Sequence, residues 1–222
     1  MPDSPEDKGF GQGDPLLARW AEQLFAPEDE VLREIRQRSV ASGLPAIAVG
    51  RMDGLHLELL ARASGARKLV EIGTLGGYSG VCLLRGAGPG GFLHTFEYSP
   101  QHAAVARESF RRAGVEGQVR LHLGRALEQL GAIAAEGPFD LVFIDADKPG
   151  YPDYLAWAAE HLRVGGMVLG DNAFGWGRVL TPGGDESARA LLAFNESLAR
   201  GGRFRATMLP TEEGLALGVK LR

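Results

Sequence analysis

The amino-acid sequence predicts an α/β fold: a doubly wound, mostly parallel sheet with extra N-terminal helices and a C-terminal antiparallel strand. Three observations lead there. From Lys68 onward, short apolar runs alternate with glycine-bearing turns and segments of helical character, the pattern of right-handed βαβ units whose strands are covered on both faces. Before Lys68 only helical periodicity is present. Beyond Arg200 two apolar runs are separated by a turn too short for a parallel crossover.

Taken in order, Met1 to Pro15 is polar and rich in Gly, Pro and Asp, and reads as a flexible N-terminal arm. Leu16 to Phe25 and Pro27 to Ser42 carry apolar residues at helical intervals, Val31, Leu32 and Ile35 among them, and acidic residues gather where the second helix starts. Gly43-Leu44-Pro45 breaks the pattern; Asp53 to Ser64 resumes it with Leu55, Leu59, Leu60 and Ala63 until Gly65 stops it. Leu69–Ile72, Phe92–Phe96, Val119–Leu123, Leu141–Ile144 and Met167–Leu169 are the strand candidates, rich in apolar residues as parallel strands are. Phe204–Leu209 and Leu215–Leu221 flank Pro210 to Gly214 and predict a hairpin. No Ser/Pro-rich linker divides the chain, so residues 1–222 are read as a single domain.

Composition narrows the function classes. With 45% hydrophobic and 23% charged residues the chain is globular rather than disordered. Its net charge of −4 gives no general reason to hold nucleic acid, and Arg107, Arg111, Arg112 and Arg120 are interleaved with Glu108 and Glu116 as on a solvated helix face. No apolar run is long enough to span a bilayer, and the first residues lack the apolar core of a secretory signal. Cys82 is the only cysteine, set in an apolar helical stretch and read as core, so no intrachain disulfide is possible; a cytoplasmic location is expected.

The chemistry concentrates at strand ends. Val142-Phe-Ile-Asp145-Ala-Asp147-Lys148 and Val168-Leu-Gly-Asp171-Asn172 are apolar runs that stop abruptly in oxygen ligands. If those strands are neighbours, their ends lie about 5 Å apart, and hard oxygen donors without a nearby Cys or His cluster suit Mg²⁺, Mn²⁺ or Ca²⁺. Taken singly, each aspartate also suits the N-cap of a following helix; the pair favours a metal. Lys148 follows Asp145 by three residues, close enough to face the same cleft as a general base. Upstream, Gly73-Thr-Leu-Gly76-Gly77 follows the first strand and allows close backbone approach to a nucleotide-like ligand. Leu75 stands where a dinucleotide fingerprint requires glycine, which speaks against a nicotinamide dehydrogenase. Glu97 closes the second strand, where an acidic residue can bind ribose hydroxyls. Residues 173–185, with Phe174 and Trp176, read as an active-site lid whose aromatic residues can stack on a flat ring or pack on the body.

Together, Glu71-Ile-Gly73-x-x-x-Gly77-Tyr-Ser79, Asp145-Ala-Asp147-Lys148-x-x-Tyr151 and Gly170-Asp171-Asn172 give the chain a resemblance to the cation-dependent class I O-methyltransferases, the group of catechol and caffeoyl-coenzyme A O-methyltransferases. It runs from the second helix to the C-terminus and implies a Rossmann-like fold. It also implies S-adenosylmethionine held by Val49, Glu71, Gly73, Ser79, Glu97, Ala126 and Asp147. The same resemblance implies a divalent cation, most simply Mg²⁺, on Asp145, Asp171 and Asn172, with Lys148 and Asp145 catalytic and a homodimer in solution. The expected reaction is methylation of one hydroxyl of a small catechol-type (vicinal dihydroxyaryl) acceptor, a phenolic substrate with Trp176 at its site. Two departures bear on this. Glu97 replaces the family's frequent Asp, and Gly175-Trp176-Gly177 stands where plant members read Trp-Asn-Gly, so acceptor identity stays open. A tRNA hydroxyuridine O-methyltransferase and a non-catalytic adenosyl-ligand-binding protein are the alternatives.

Overall fold

The computed structural model describes residues 13–222. Three helices precede the sheet: α1 (Pro15–Phe25), α2 (Glu30–Ala41) and α3 (Arg51–Ala63). Asp14 caps α1 by accepting from the Leu16 amide at 2.8 Å, and Pro15 takes the first turn, where its missing N–H costs nothing. The expected arm is therefore corrected at its end: Asp14 and Pro15 belong to a helix start, and residues 1–12 lie outside the described residues. The second helix begins at Glu30 rather than Pro27 because the Asp29 side chain accepts from Leu32 N and fixes the cap there.

Seven strands follow among the described residues: β1 (Lys68–Ile72), β2 (Phe92–Glu97), β3 (Val119–Leu123), β4 (Phe139–Ile144), β5 (Leu162–Gly170), β6 (Phe204–Leu209) and β7 (Leu215–Lys220). They form one sheet in the order β3-β2-β1-β4-β5-β7-β6, parallel from β3 through β5, with β7 antiparallel to both β5 and β6. The helices between them are α4 (Tyr78–Ala87), α5 (Pro100–Arg112), α6 (Ala126–Ile133), α7 (Tyr151–His161) and α8 (Glu186–Arg200).

Alternation along each central strand makes two cores. Leu69, Leu141, Phe143, Met167 and Leu169 pack with α2 to α5, whereas Val70, Ile72, Val142, Ile144 and Val168 pack with α6, α7 and α8. β5 starts five residues before the expected Met167. Asp140 alone stands against Arg163 to Gly166, a bulge that includes the Gly165-Gly166 pair. The predicted hairpin is present as β6–β7, and β7 rather than β6 joins β5. No helix among the described residues is long and apolar enough to cross a membrane.

Sheet order locates the site. The chain winds outward from β1 through β2 to β3, then reverses through β4 to β5, so the crevice opens beyond the C-terminal ends of β1 and β4. Ile72, Ile144 and Gly170 are register partners across β1, β4 and β5. Asp145 N donates to Ile72 O at 2.8 Å and Asp171 N to Ile144 O at 3.0 Å, so the residues following those partners continue the row.

Candidate active site at the strand ends

A cavity of about 1070 Å³ opens over these ends. Val49, Gly73, Ser79, Glu97 and Ala126 line it, as do Asp145, Asp147, Lys148, Asn172 and Trp176. Two expected residues do not: Glu71 and Asp171 are buried behind the wall.

At the β1 end, Gly73 has φ +97°, and a Cβ there would fall 1.9 Å from the Asp145 carbonyl oxygen. The glycine is thus required by the close passage of two backbones, whatever lies in the cavity. Glu97 closes this turn: Oε2 accepts from Leu75 N at 2.8 Å and Thr74 N at 3.3 Å, and Oε1 from Ser99 N at 2.8 Å. It faces the cavity as expected while also tying the end of β2 to the glycine turn.

Glu71 acts from behind. Its carboxylate accepts from Ser79 Oγ and Thr95 Oγ1, each at 2.6 Å, and only Ser79 of the three reaches the cavity. Burial pushes its carboxyl from the ordinary 4.5 up to about 7, despite both hydroxyl donors. This sets a pH dependence of stability. Between those values the unfolded chain releases the proton and the native protein keeps it, so stability falls as pH rises. The loss approaches about 3 kcal/mol and levels off once pH has passed well above 7, where both states are ionised. Glu71→Gln, which retains an acceptor and a donor, is expected to remove that slope in urea unfolding between pH 4.5 and 7; an unchanged slope would assign it to other groups.

At the β4 and β5 ends, Lys148 Nζ donates to Asp145 Oδ1 at 3.1 Å and to Tyr151 Oη at 2.9 Å. Tyr151 is fully buried, and its hydroxyl is within bonding distance of Asp171 O (3.0 Å) and Ile144 O (3.2 Å), so a fixed phenol holds the lysine. Asp147 points elsewhere and accepts from Tyr154 Oη at 2.7 Å. The carboxyl of Asp171 is driven far above the usual carboxylate range by burial first and then by the charges of Asp145 and Asp53.

That repulsion bears on a cation. Among the described residues no three His, Cys, Asp or Glu side chains form a ready metal cluster. The candidate set is two carboxylates and the Asn172 amide, all hard oxygen donors, with a buried carboxylate whose charge the Asn172 backbone N–H and Lys148 only partly offset. A divalent ion would relieve that imbalance, and the donor chemistry fits Mg²⁺ or Mn²⁺.

Sequence reasoning missed two neighbours. Asp53, on α3, lines the cavity and acts electrostatically on Asp171; Glu213, read only as a turn residue, accepts from Asn172 Nδ2 and Trp176 Nε1. Neither lies in a motif, and each comes from a distant segment. The loop after Asn172 carries a 3₁₀ turn over Gly175–Leu180, with Trp176 exposed at its mouth and the Arg178 guanidinium 5.0 Å from its ring centroid.

Comparison with known proteins places the chain among O-methyltransferases. A family model described as O-methyltransferase matches residues 22–221. A catechol O-methyltransferase of Mycobacterium tuberculosis is 46% identical over 176 residues, covering 79% of this chain and 80% of that protein. One of Niastella koreensis is 37% identical over 204 residues, covering 88% and 92%. The crystal structure of an O-methyltransferase from Bacillus cereus in complex with SAH superposes with a TM-score of 0.87 at 37% identity, covering 92% of this chain and 97% of that one. By sequence and by fold alike, the chain belongs to the O-methyltransferase family.

Proposed function

We propose that this S-adenosylmethionine-dependent O-methyltransferase is divalent-cation-dependent and methylates one hydroxyl of a small catechol-type acceptor. The observation that carries the reading is the meeting, on one cavity wall, of Asp145, Asn172 and Lys148, with Asp171 directly behind. Asp145, Asp171 and Asn172 would hold the cation, and Val49, Gly73, Ser79, Glu97, Ala126 and Asp147 the methyl donor. Glu71 would support the donor through Ser79. A cavity of about 1070 Å³ accommodates a nucleoside-sized donor and a small aromatic together.

A phenol resembling tyrosine has a pKa of about 10 and is scarcely ionised at neutral pH; a bound cation supplies the missing acidity. The chain's own residues do the rest. Lys148, aimed by Tyr151, would receive the hydroxyl proton at Nζ as a neutral amine, the form that a cation bound beside it favours. Glu97 and the glycine turn orient the donor, and Trp176 offers a ring face beside the acceptor. Fixing both reactants makes a bimolecular step effectively unimolecular. The proposal extends to a homodimer, since α1 leaves Leu17, Trp20, Leu24 and Phe25 about half exposed or more, an apolar face suited to a second copy.

A panel assayed with labelled S-adenosylmethionine and Mg²⁺ tests the acceptor. Methylation is expected for vicinal diols and not for matched monophenols or bulk tRNA. Equal rates on monophenols would end the chelation reading, tRNA methylation would establish the RNA alternative, and cofactor binding without turnover on any member would favour the non-catalytic one.

A further inference from the structure

The turn between β6 and β7 is seated on the loop that leaves β5. Ala173 N donates to Gly214 O at 2.9 Å and Phe174 N to Glu213 O at 3.0 Å. The seating is close enough that a Cβ on Gly214 (φ +77°) would fall 2.7 Å from the Phe174 ring. Within this contact one carboxylate serves two partners: Glu213 Oε2 accepts from Asn172 Nδ2, and Oε1 accepts from Trp176 Nε1 at 3.3 Å. Both partners have left-handed backbones, Asn172 at φ 55° and Trp176 at φ 53°. Such residues persist where surrounding bonds hold them.

The chemistry of the pair is directional. An asparagine amide can offer either its oxygen or its NH₂ group, whereas a carboxylate only accepts. Glu213 therefore fixes the NH₂ toward itself and turns Oδ1 away. We propose that Glu213 is a positioning residue: it sets the Asn172 amide with its oxygen toward the cation and fixes the Trp176 indole at the mouth of the cavity. The inference rests on the cation reading above. A glutamine here would accept at one end and present its own NH₂ to an N–H donor at the other, so one partner would have to rotate away.

Mn²⁺ binding to the full-length protein, read from the loss of the free-ion EPR signal, tests this without requiring turnover. Glu213→Gln is expected to weaken Mn²⁺ binding roughly 10- to 100-fold, the usual effect of losing a group that orients a ligand. Trp176→Phe, which leaves the Asn172 bond in place, is expected to change binding far less. In an Asn172→Ala background, Glu213→Gln should add nothing further. Additive losses would mean that Glu213 acts by charge alone, and wild-type binding by Glu213→Gln would mean that it does not act; either result overturns the proposal. Glu213→Asp, which keeps the charge but shortens the reach, supplies a second variant if the glutamine protein unfolds; its binding should lie below wild type, and wild-type binding would again overturn the proposal. If the wild-type protein itself binds no Mn²⁺, the cation reading fails and this inference with it, a result distinct from the preceding ones.

Discussion

Lys148→Met is expected to lower kcat for catechol methylation by roughly 10²- to 10⁴-fold, the range for loss of a general base. Methionine keeps an unbranched chain of similar reach and removes the proton acceptor. Nζ lies 3.1 Å from Asp145 and 2.9 Å from the Tyr151 hydroxyl, and the side chain is 14% exposed, so its place at the cavity edge is fixed rather than sampled. The loss should fall on kcat, with KM for the acceptor little changed, because the residue holds a proton rather than the aromatic ring. The residual rate should climb with pH as the acceptor ionises by itself. A variant with wild-type kcat at neutral pH would remove Lys148 from the mechanism.

Asp171 separates activity from stability, and its substitution should move them in opposite directions. Catechol methylation is expected to collapse on chelation and return with Mg²⁺; Asp171→Asn should lose about 10³-fold or more and resist rescue. The figure corresponds to several kcal/mol of charge stabilisation at about 1.4 kcal/mol per tenfold. Yet the metal-free variant should unfold at a higher temperature than the metal-free wild type at pH 8. Burial and the neighbouring Asp145 and Asp53 raise the Asp171 carboxyl above its ordinary value, so its ionisation destabilises the native state as pH rises beyond that value. An amide of the same shape removes that cost. Activity that survives both chelator and Asp171→Asn would sink the cation mechanism, and a lowered unfolding midpoint would sink the account of the buried charge.

The central strands were legible because parallel strands covered on both faces are rich in apolar residues: Leu141–Ile144 is wholly apolar and Leu69–Ile72 is interrupted only by Glu71, so both announce themselves without reference to the rest of the chain. The start of β5 was not. Its bulge depends on Asp140 pairing with Arg163, Nε to Oδ1 at 2.6 Å, a contact between segments that local pattern cannot see. The hairpin was visible, whereas the docking of β7 on β5 was not drawn from the sequence. In the structure β7 is mostly buried and β6 alternates with exposed positions such as Arg205, as edge and interior strands do.

The site divides in the same way. Sequence by itself determined the candidate groups, since Asp145, Asp171 and Asn172 follow directly on apolar strands, with Lys148 three residues beyond Asp145, and a strand end has only one place to deliver its next residue. Tertiary structure decided how those groups are held. It set Glu71 behind Ser79, Tyr151 beneath Lys148, Asp53 near enough to act on Asp171, and Glu213 against Asn172 from 41 residues away. Local order along the chain specifies which side chains reach the rim; their charge balance and orientation are set by groups that only folding brings within hydrogen-bond or Coulomb range.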